Sequence, residues 1–342
     1  MKAAAEAQGS VSMADRDLLS RVANHPGAPL KELTTRKLQE IARSESIDFA
    51  TALLHDRLLH VPANREFYQR VHASTQPLIH GPALVGIIPG AFYQQHKNTG
   101  ADGERIVVIA KEIGCEAERL PLISLGALAE NARVILDWLE QRRDKRVVLV
   151  ALSKGSADLK MALGLSEAAR AFGNVSACVS LSGIIQGTTL VNWLERQPMR
   201  RMGVRVLLRL RGQRYSVVKE LAHGPGTTLA PWPVLPHHLR FIHVLGFPLR
   251  RHLSHPWAPR AYERIADLGP NDGGGILLAD ATDYPGIVLP VWGTDHYMQP
   301  RFDVTALLRS VLVEAINGSC EPLQANRSAT QPNTPPASRS NA

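Results

Sequence analysis

The sequence has few cysteines and no long apolar run, and both features restrict the class of protein. Its three cysteines (Cys115, Cys178 and Cys320) are odd in number and never spaced as Cys-x-x-Cys. We therefore expect neither a disulfide framework nor a cysteine zinc site. No predominantly apolar stretch reaches the roughly 20 residues that a membrane-spanning helix needs. The first residues, MKAAAEAQGS, lack the apolar segment of a secretory signal, so a reduced, cytoplasmic protein is expected.

Aromatic residues are also sparse, at 5% of the 342 residues, yet hydrophobic residues reach 44%. This content is enough for a sizeable core and excludes wholesale disorder. The length predicts one large domain with attachments. The 13 histidines form no recognisable metal-ligand motif, so neither a metal nor another cofactor is expected.

The positive charge is concentrated in one part of the chain. The net charge is +8, and residues 184–260 contain twelve Lys or Arg against two acidic residues, Glu195 and Glu220. This basic segment accounts for the whole surplus, so we expect a surface that faces something anionic, with an anionic membrane as the partner. A solvated arginine-rich face is the alternative. Nucleic acid is not expected as a partner, because long apolar stretches interrupt the basic residues.

Short apolar segments alternate with helical patterns after residue 83. Such a sequence predicts an α/β fold, a mostly parallel sheet with helices on both faces. The predicted strands are 83–88, 119–123, 146–151, 175–181, 239–246 and 287–292.

The domain organisation follows from this alternation and its interruptions. Residues 1–75 predict an N-terminal helical attachment, and residues 76–183 the first part of the α/β core. A basic, tryptophan-containing cap over residues 184–238 interrupts the core, which resumes over 239–317. Residues 318–342 are rich in Pro, Ser, Asn and Thr and predict a disordered tail.

The strand ending at Ala151 leads directly into Leu152-Ser153-Lys154-Gly155 and then a helical pattern. A serine at such a turn is lifted above the sheet edge and faces the positive end of a helix, as a nucleophile requires. An ordinary serine N-cap is the alternative. For Lys154, a solvent-facing side chain is the commoner explanation, beside contact with an acidic group or an effect on the serine pKa.

Two later segments place a carboxylate and a histidine after other predicted strands. Asp272 lies in Gly269-Pro-Asn-Asp-Gly273, and His296 ends Gly293-Thr-Asp-His296, 24 residues later. In this order of Ser, Asp and His the chain resembles the α/β-hydrolase superfamily, in particular its lipase and esterase branch, over residues 83–317. It departs from that pattern at Ala151, where Gly is usual, and at Pro89-Gly90, where many relatives have His-Gly.

The resemblance and the chemistry of these groups imply a role for each residue. Ser153 would be the nucleophile, His296 the base that takes its proton, and Asp272 the acid that orients the imidazole. Asp280 and Asp283 remain alternatives for the acid, whereas Asp295, the neighbour of His296, is interpreted as turn-forming. Oxyanion donors would be the backbone N–H groups of Lys154 and of Ala91 or Phe92.

Tyr93 and His96, which follow the first strand, and Trp193 in the cap are predicted to contact the substrate. The mixed apolar and cationic cap favours an apolar acyl group, so we expect a serine hydrolase that cleaves carboxylic esters. A catalytically inert α/β-hydrolase-like protein that binds a lipid or a partner is one alternative. An acyltransferase with the same triad is the other. The sequence does not distinguish ester, thioester and polyester substrates.

Overall fold

The structure, a computed structural model, describes residues 12–26, 28–73, 82–298 and 303–318. The predicted tail lies outside the described residues except for Gly318. A six-stranded sheet forms the centre, and all neighbouring strands in it pair in parallel. Its strands in chain order are β1 (Leu84–Ile88), β2 (Glu116–Arg119), β3 (Val147–Leu152), β4 (Val175–Leu181), β5 (Arg240–Phe247) and β6 (Ile287–Trp292). Across the sheet the order is β2-β1-β3-β4-β5-β6, so the predicted fold class is confirmed.

Helices surround the sheet and precede it. The α-helices are α1 (Met13–Ala23), α2 (Thr35–Ser44), α3 (Ile47–Leu59), α4 (Pro62–Ala73), α5 (Glu104–Glu112), α6 (Leu128–Glu140), α7 (Lys154–Leu163), α8 (Ala168–Ala171), α9 (Thr189–Glu195), α10 (Pro198–Leu210), α11 (Ser216–Glu220), α12 (Ala258–Ile265) and α13 (Thr305–Asn317). Short 3-10 turns lie at Leu30–Glu32, Lys97–Thr99, Arg250–His252, Ala266–Leu268 and Leu278–Asp283. None of the helices within the described ranges combines the length and apolarity needed to span a bilayer.

The two faces of the sheet have separate hydrophobic cores, since alternate side chains of a strand point to opposite faces. On one face Leu149 and Phe241 pack with residues of α1, α3, α6 and α7. On the other face Val148 and Ile242 pack with residues of α4, α5 and α13. Every strand position from Leu84 to Ile88 is buried, which explains why this strand is an unbroken apolar run rather than an alternating one.

The second strand is displaced from its predicted position. The prediction of 119–123 is wrong, because β2 is Glu116–Arg119 and pairs with Leu84–Ile87. It is an edge strand with exposed and half-buried residues, so it lacks the apolar run by which buried strands are recognised. The apolar Leu120 and Leu122 that suggested the strand follow it and pack into the core.

The carboxyl ends of the strands meet at one edge of the sheet, where parallel α/β folds bind ligands. Helices α9 to α11 lie between β4 and β5 and form the cap. The cap is connected to this edge, because the Thr188 hydroxyl and the backbone N–H of Thr189 donate to the carbonyl of Gly275, at 3.0 and 3.2 Å. Gly275 belongs to the turn that carries Asp272.

Candidate active site

Ser153 occupies a sharp turn between β3 and α7. Its φ of 47° and ψ of −114° lie in a region that non-glycine residues rarely adopt, and strain of this kind is concentrated at functional sites. The turn is crowded: a Cβ at Gly155 would overlap the carbonyl oxygens of Ile88 and Pro89. Glycine is therefore required at position 155, which supports the sequence interpretation of a nucleophile turn.

The structure brings Ser153, His296 and Asp272 together from three separate segments. Ser153 Oγ lies 2.9 Å from His296 Nε2, and His296 Nδ1 lies 2.6 Å from Asp272 Oδ2. Both distances are within hydrogen-bond range. A proton can thus pass from the hydroxyl to the imidazole while the opposite ring nitrogen donates to the carboxylate.

Asp272 is completely buried and is held by its own turn. Its Oδ1 accepts backbone N–H groups of Gly274 and Ile276, at 2.9 and 3.0 Å. Its carbonyl accepts the backbone N–H of His296 at 2.8 Å. The carboxylate is therefore fixed in place, and its second oxygen points at the imidazole.

The other candidate acids lie elsewhere. Asp280 pairs with His223, with 3.0 Å between His223 Nε2 and Asp280 Oδ2, and Asp283 is exposed. Asp295 accepts the backbone N–H groups of Ser254, His255 and Tyr297 at 2.9 to 3.2 Å. It thus organises the turn, as its interpretation from the sequence expected, and fixes the loop that contains His296.

The imidazole of His296 is tuned toward its charged form. Burial lowers its pKa, but the charge of Asp272, the hydrogen bond that the ring donates to that carboxylate and the charge of Asp295 outweigh burial and leave the pKa above its ordinary value of 6.5. An aspartate in this position stabilises the imidazolium that forms when the serine proton is transferred.

A mostly apolar cavity of about 280 Å³ lies in front of the serine. Its lining includes Ala91, Phe92, Ile106, Ser153, Leu181, Ile184, Trp257, His296, Tyr297, Met298 and Leu308. The backbone at Ala91 and Phe92, the predicted oxyanion segment, therefore lines the same cavity as Ser153, and Phe92 has a left-handed φ of 58°. Lys154 opens α7, where a backbone N–H has no helical carbonyl to bind.

None of the three residues predicted to contact the substrate belongs to this lining. The Tyr93 hydroxyl donates to the Leu122 carbonyl at 2.8 Å, and Trp193 lines a separate groove in the cap, so the structure does not bring these two residues to the cavity beside Ser153. His96 contacts Trp257, a residue of the lining, with 4.9 Å between the two ring centroids. The Tyr93 ring is buried. A buried tyrosine hydroxyl needs an acceptor inside the protein, and the Leu122 carbonyl supplies it.

Lys154 is buried, contrary to the expectation of a solvent-facing side chain. It is 1% exposed, and its Nζ lies 2.7 and 3.0 Å from the two carboxylate oxygens of Asp158. Asn131 Nδ2 donates to Asp158 at 3.1 Å. Burial, opposed by Lys154, raises the pKa of Asp158 to about 6. The i,i+4 spacing of Lys154 and Asp158 was the sequence signal that could have revealed this pair.

Gly274 and Trp257 are further site residues that the sequence analysis missed. A Cβ on Gly274 would overlap the His296 ring, so glycine leaves the space that the imidazole occupies. Trp257, 44% exposed, forms part of the cavity wall. A glycine following Asn-Asp-Gly carries little information by itself, because such turns are rich in glycine.

Comparison with known proteins gives similar structures at low identity. No protein-family model matches the chain, and no curated protein matches it. The chain is similar to a metagenomic carboxyl esterase at 16% identity over 71% of this chain and 79% of that chain, with a TM-score of 0.45. It is similar to a Bacillus licheniformis lipase in mature form at 16% identity over 70% and 92%, with a TM-score of 0.48. For esterase B from Lactobacillus rhamnosis the identity is 14% over 69% and 77%, with a TM-score of 0.37.

Proposed function

We propose that the protein is a serine hydrolase that cleaves carboxylic esters through an acyl-enzyme on Ser153. The observation that carries this proposal is the continuous contact from Ser153 through His296 to Asp272 at the wall of an apolar cavity. A serine hydroxyl is a weak nucleophile at neutral pH, so it requires a base within hydrogen-bond reach. His296 lies at that distance and has a carboxylate behind it.

The reaction has two halves of the same form. As Ser153 Oγ attacks the ester carbonyl carbon, its proton moves to His296 Nε2 and the carbonyl π electrons move to the oxygen. Backbone N–H groups of Lys154 and of Ala91 or Phe92 would stabilise that oxyanion. Collapse expels the alkoxide, which takes the proton from His296. Water then repeats the sequence on the acyl-enzyme and releases the acid.

We propose a short apolar acyl group as the preferred substrate portion. The cavity of about 280 Å³ lies just below the ~300–1,000 Å³ range of ligand pockets. Its apolar lining favours hydrocarbon over a charged chain, since an unpaired charge there would lose its hydration. Among esters of one leaving group, kcat/KM should therefore peak at a short acyl chain and fall as the chain exceeds the cavity.

We also propose that residues 184–260 contact an anionic membrane surface. Twelve basic residues against two acidic ones in this segment supply a long-range attraction for anionic lipid. Ser153, Asp272 and His296 all lie outside this segment, so the membrane contact and the hydrolysis can each be tested without the other.

A fluorophosphonate probe followed by intact-mass measurement tests the hydrolase proposal directly. We expect one adduct on the wild type and none on Ser153→Ala or His296→Ala. His223→Ala is the matched control, because His223 also faces an aspartate but has a different environment; it should label like the wild type. Absence of an adduct on folded wild type would favour the inert lipid- or partner-binding alternative. Transfer of the acyl group to an added alcohol in preference to water would favour the acyltransferase.

A further inference from the structure

The cap helix α10 presents its apolar side to solvent. Of its 13 residues, Leu208 is the buried one. Met199, Met202, Val206 and Leu210 are 85%, 58%, 51% and 80% exposed. Their spacing of three or four residues places them on one face of the helix. We call these four residues the apolar stripe.

Arginines flank this stripe on both sides. Arg201, Arg205 and Arg209 each precede a stripe residue by one position, so they form a row along one margin. Arg200 lies on the other margin. Apolar residues bounded by arginines are the arrangement of a helix that lies in the plane of a membrane interface.

A second cluster of charge adjoins the first turn of α10. Arg200, Arg260 and Arg264, called here the arginine cluster, line one surface depression together with Glu263. Within the described part of the chain, none of the three has a carboxylate at salt-bridge distance, because Glu263 pairs with Arg250. Burial, together with the charges of Arg200 and Arg260, lowers the pKa of Arg264. Glu263 is the one carboxylate in the described lining of this depression and is already paired with Arg250, so the three cations repel one another less when a further anion lies among them.

Trp193 joins the arginine cluster to an apolar groove. The guanidinium groups of Arg200 and Arg264 lie 4.9 and 4.4 Å from its ring. A groove of about 510 Å³ runs beside it, lined also by Leu194, Val204 and Leu207. Tryptophan and arginine at the border of an apolar surface are the residues found at the head-group level of membranes.

We propose that the apolar stripe and the arginine cluster dock the protein on an anionic phospholipid bilayer. The stripe enters the head-group boundary, while lipid phosphates lie among the three guanidinium groups. This proposal rests on the proposed contact of residues 184–260 with an anionic membrane and names the surface that makes it. Charge complementarity selects the occupant, since a neutral partner would leave the arginine repulsion in place.

Vesicle co-sedimentation tests the docking surface. Full-length protein carrying Ser153→Ala, which leaves the lipids intact, would be mixed with vesicles of phosphatidylcholine alone or with phosphatidylglycerol. We expect binding to the anionic vesicles, weakened by salt. Arg200→Ala and Arg264→Ala should each lower the partition coefficient about fivefold. Met202→Ser with Leu210→Ser should lower it about tenfold.

Matched controls separate this surface from general charge and exposure. Arg36, with an 89% exposed side chain on α2, and Met13, exposed on α1, supply the substitutions Arg36→Ala and Met13→Ser, which should bind like the parent. Equal losses in controls and test variants would overturn the proposed surface, as would equal binding to neutral vesicles. Unchanged circular dichroism spectra and thermal midpoints of the docking variants would show that their folds are intact.

Sedimentation velocity without lipid tests a second copy of the chain as the occupant. We expect a monomer. A dimer that dissociates in the Met202→Ser, Leu210→Ser variant would overturn membrane docking by this stripe. Binding to anionic vesicles by the segment as a whole, with no loss in the named variants, would retain the membrane contact and refute this surface. Neither result depends on whether Ser153 is labelled.

Discussion

Two histidine–aspartate pairs lie in the second half of the described part of the chain, and they differ in which ring nitrogen faces the aspartate. His296 Nδ1 contacts Asp272, and its Nε2 contacts Ser153. His223 contacts Asp280 through Nε2, and Asn192 binds its backbone. In both pairs the aspartate therefore raises the pKa of the histidine. A serine and a cavity on the far side are what make the first pair suited to catalysis.

Replacing the aspartate of each pair should give the largest difference in kcat between the two pairs. Asp272→Asn should lower kcat by roughly 10⁴, because the amide favours the wrong imidazole tautomer and no longer stabilises the imidazolium. Asp280→Asn should leave kcat within about threefold, since Asp280 pairs with His223 rather than with His296. Hydrolysis of a soluble short-chain ester measures both. A large loss in Asp280→Asn with full activity in Asp272→Asn would reverse the assignment of the triad acid.

The strands and turns that carry Ser153 and Asp272 could be predicted from the sequence, whereas the pairing of Asp280 with His223 could not. Buried strands are continuous apolar runs, and the Ser153 turn and the Asn-Asp-Gly turn have local signals, so their positions could be predicted. The partner of Asp280 could not, because His223 is 57 residues away and approaches through the fold of the cap. The position of Trp193 could not be predicted for the same reason. The composition of the cap suggested a substrate pocket, but helix α9 places Trp193 in a different groove.

The position of the His296 ring can be tested through Gly274, the residue that leaves space for it. Gly274→Ala would place a Cβ in the volume of the imidazole, so the ring must move away from Ser153. We expect kcat/KM to fall by about 10², the cost of a displacement of roughly 1 Å. Gly203→Ala is the control, because nothing lies within 4 Å of its added Cβ. It should retain activity.

Circular dichroism and the thermal midpoint would verify that Gly274→Ala is folded. Activity equal to that of the wild type in the folded variant would mean that His296 does not need its observed position. A loss of labelling by the fluorophosphonate in parallel with kcat/KM would place the defect in serine activation rather than in substrate binding.

The two pairs should affect different pH-dependent quantities: His296 the catalytic rate, and His223 the stability of the fold. His296 must be neutral to accept the serine proton, and its pKa lies above 6.5, so kcat/KM should fall as the pH drops through a value above 6.5. For His223 the hydrogen bond that its ring donates to Asp280, opposed by burial, raises the pKa. The stabilisation from this pair is fully present below the unfolded pKa of 6.5 and is lost as the pH rises through the raised folded value.

His223→Gln isolates the second effect. Its thermal midpoint should lie below that of the wild type at about pH 5.5, and the difference should shrink toward about pH 9, where the wild-type imidazole is neutral. The loss of unfolding free energy should stay below about 1 kcal/mol, because the pair is partly solvated. The pH profile of kcat/KM should be the same in both proteins. A shift of that profile in His223→Gln would mean that the two imidazoles are coupled, and the cap would then take part in setting the protonation of His296.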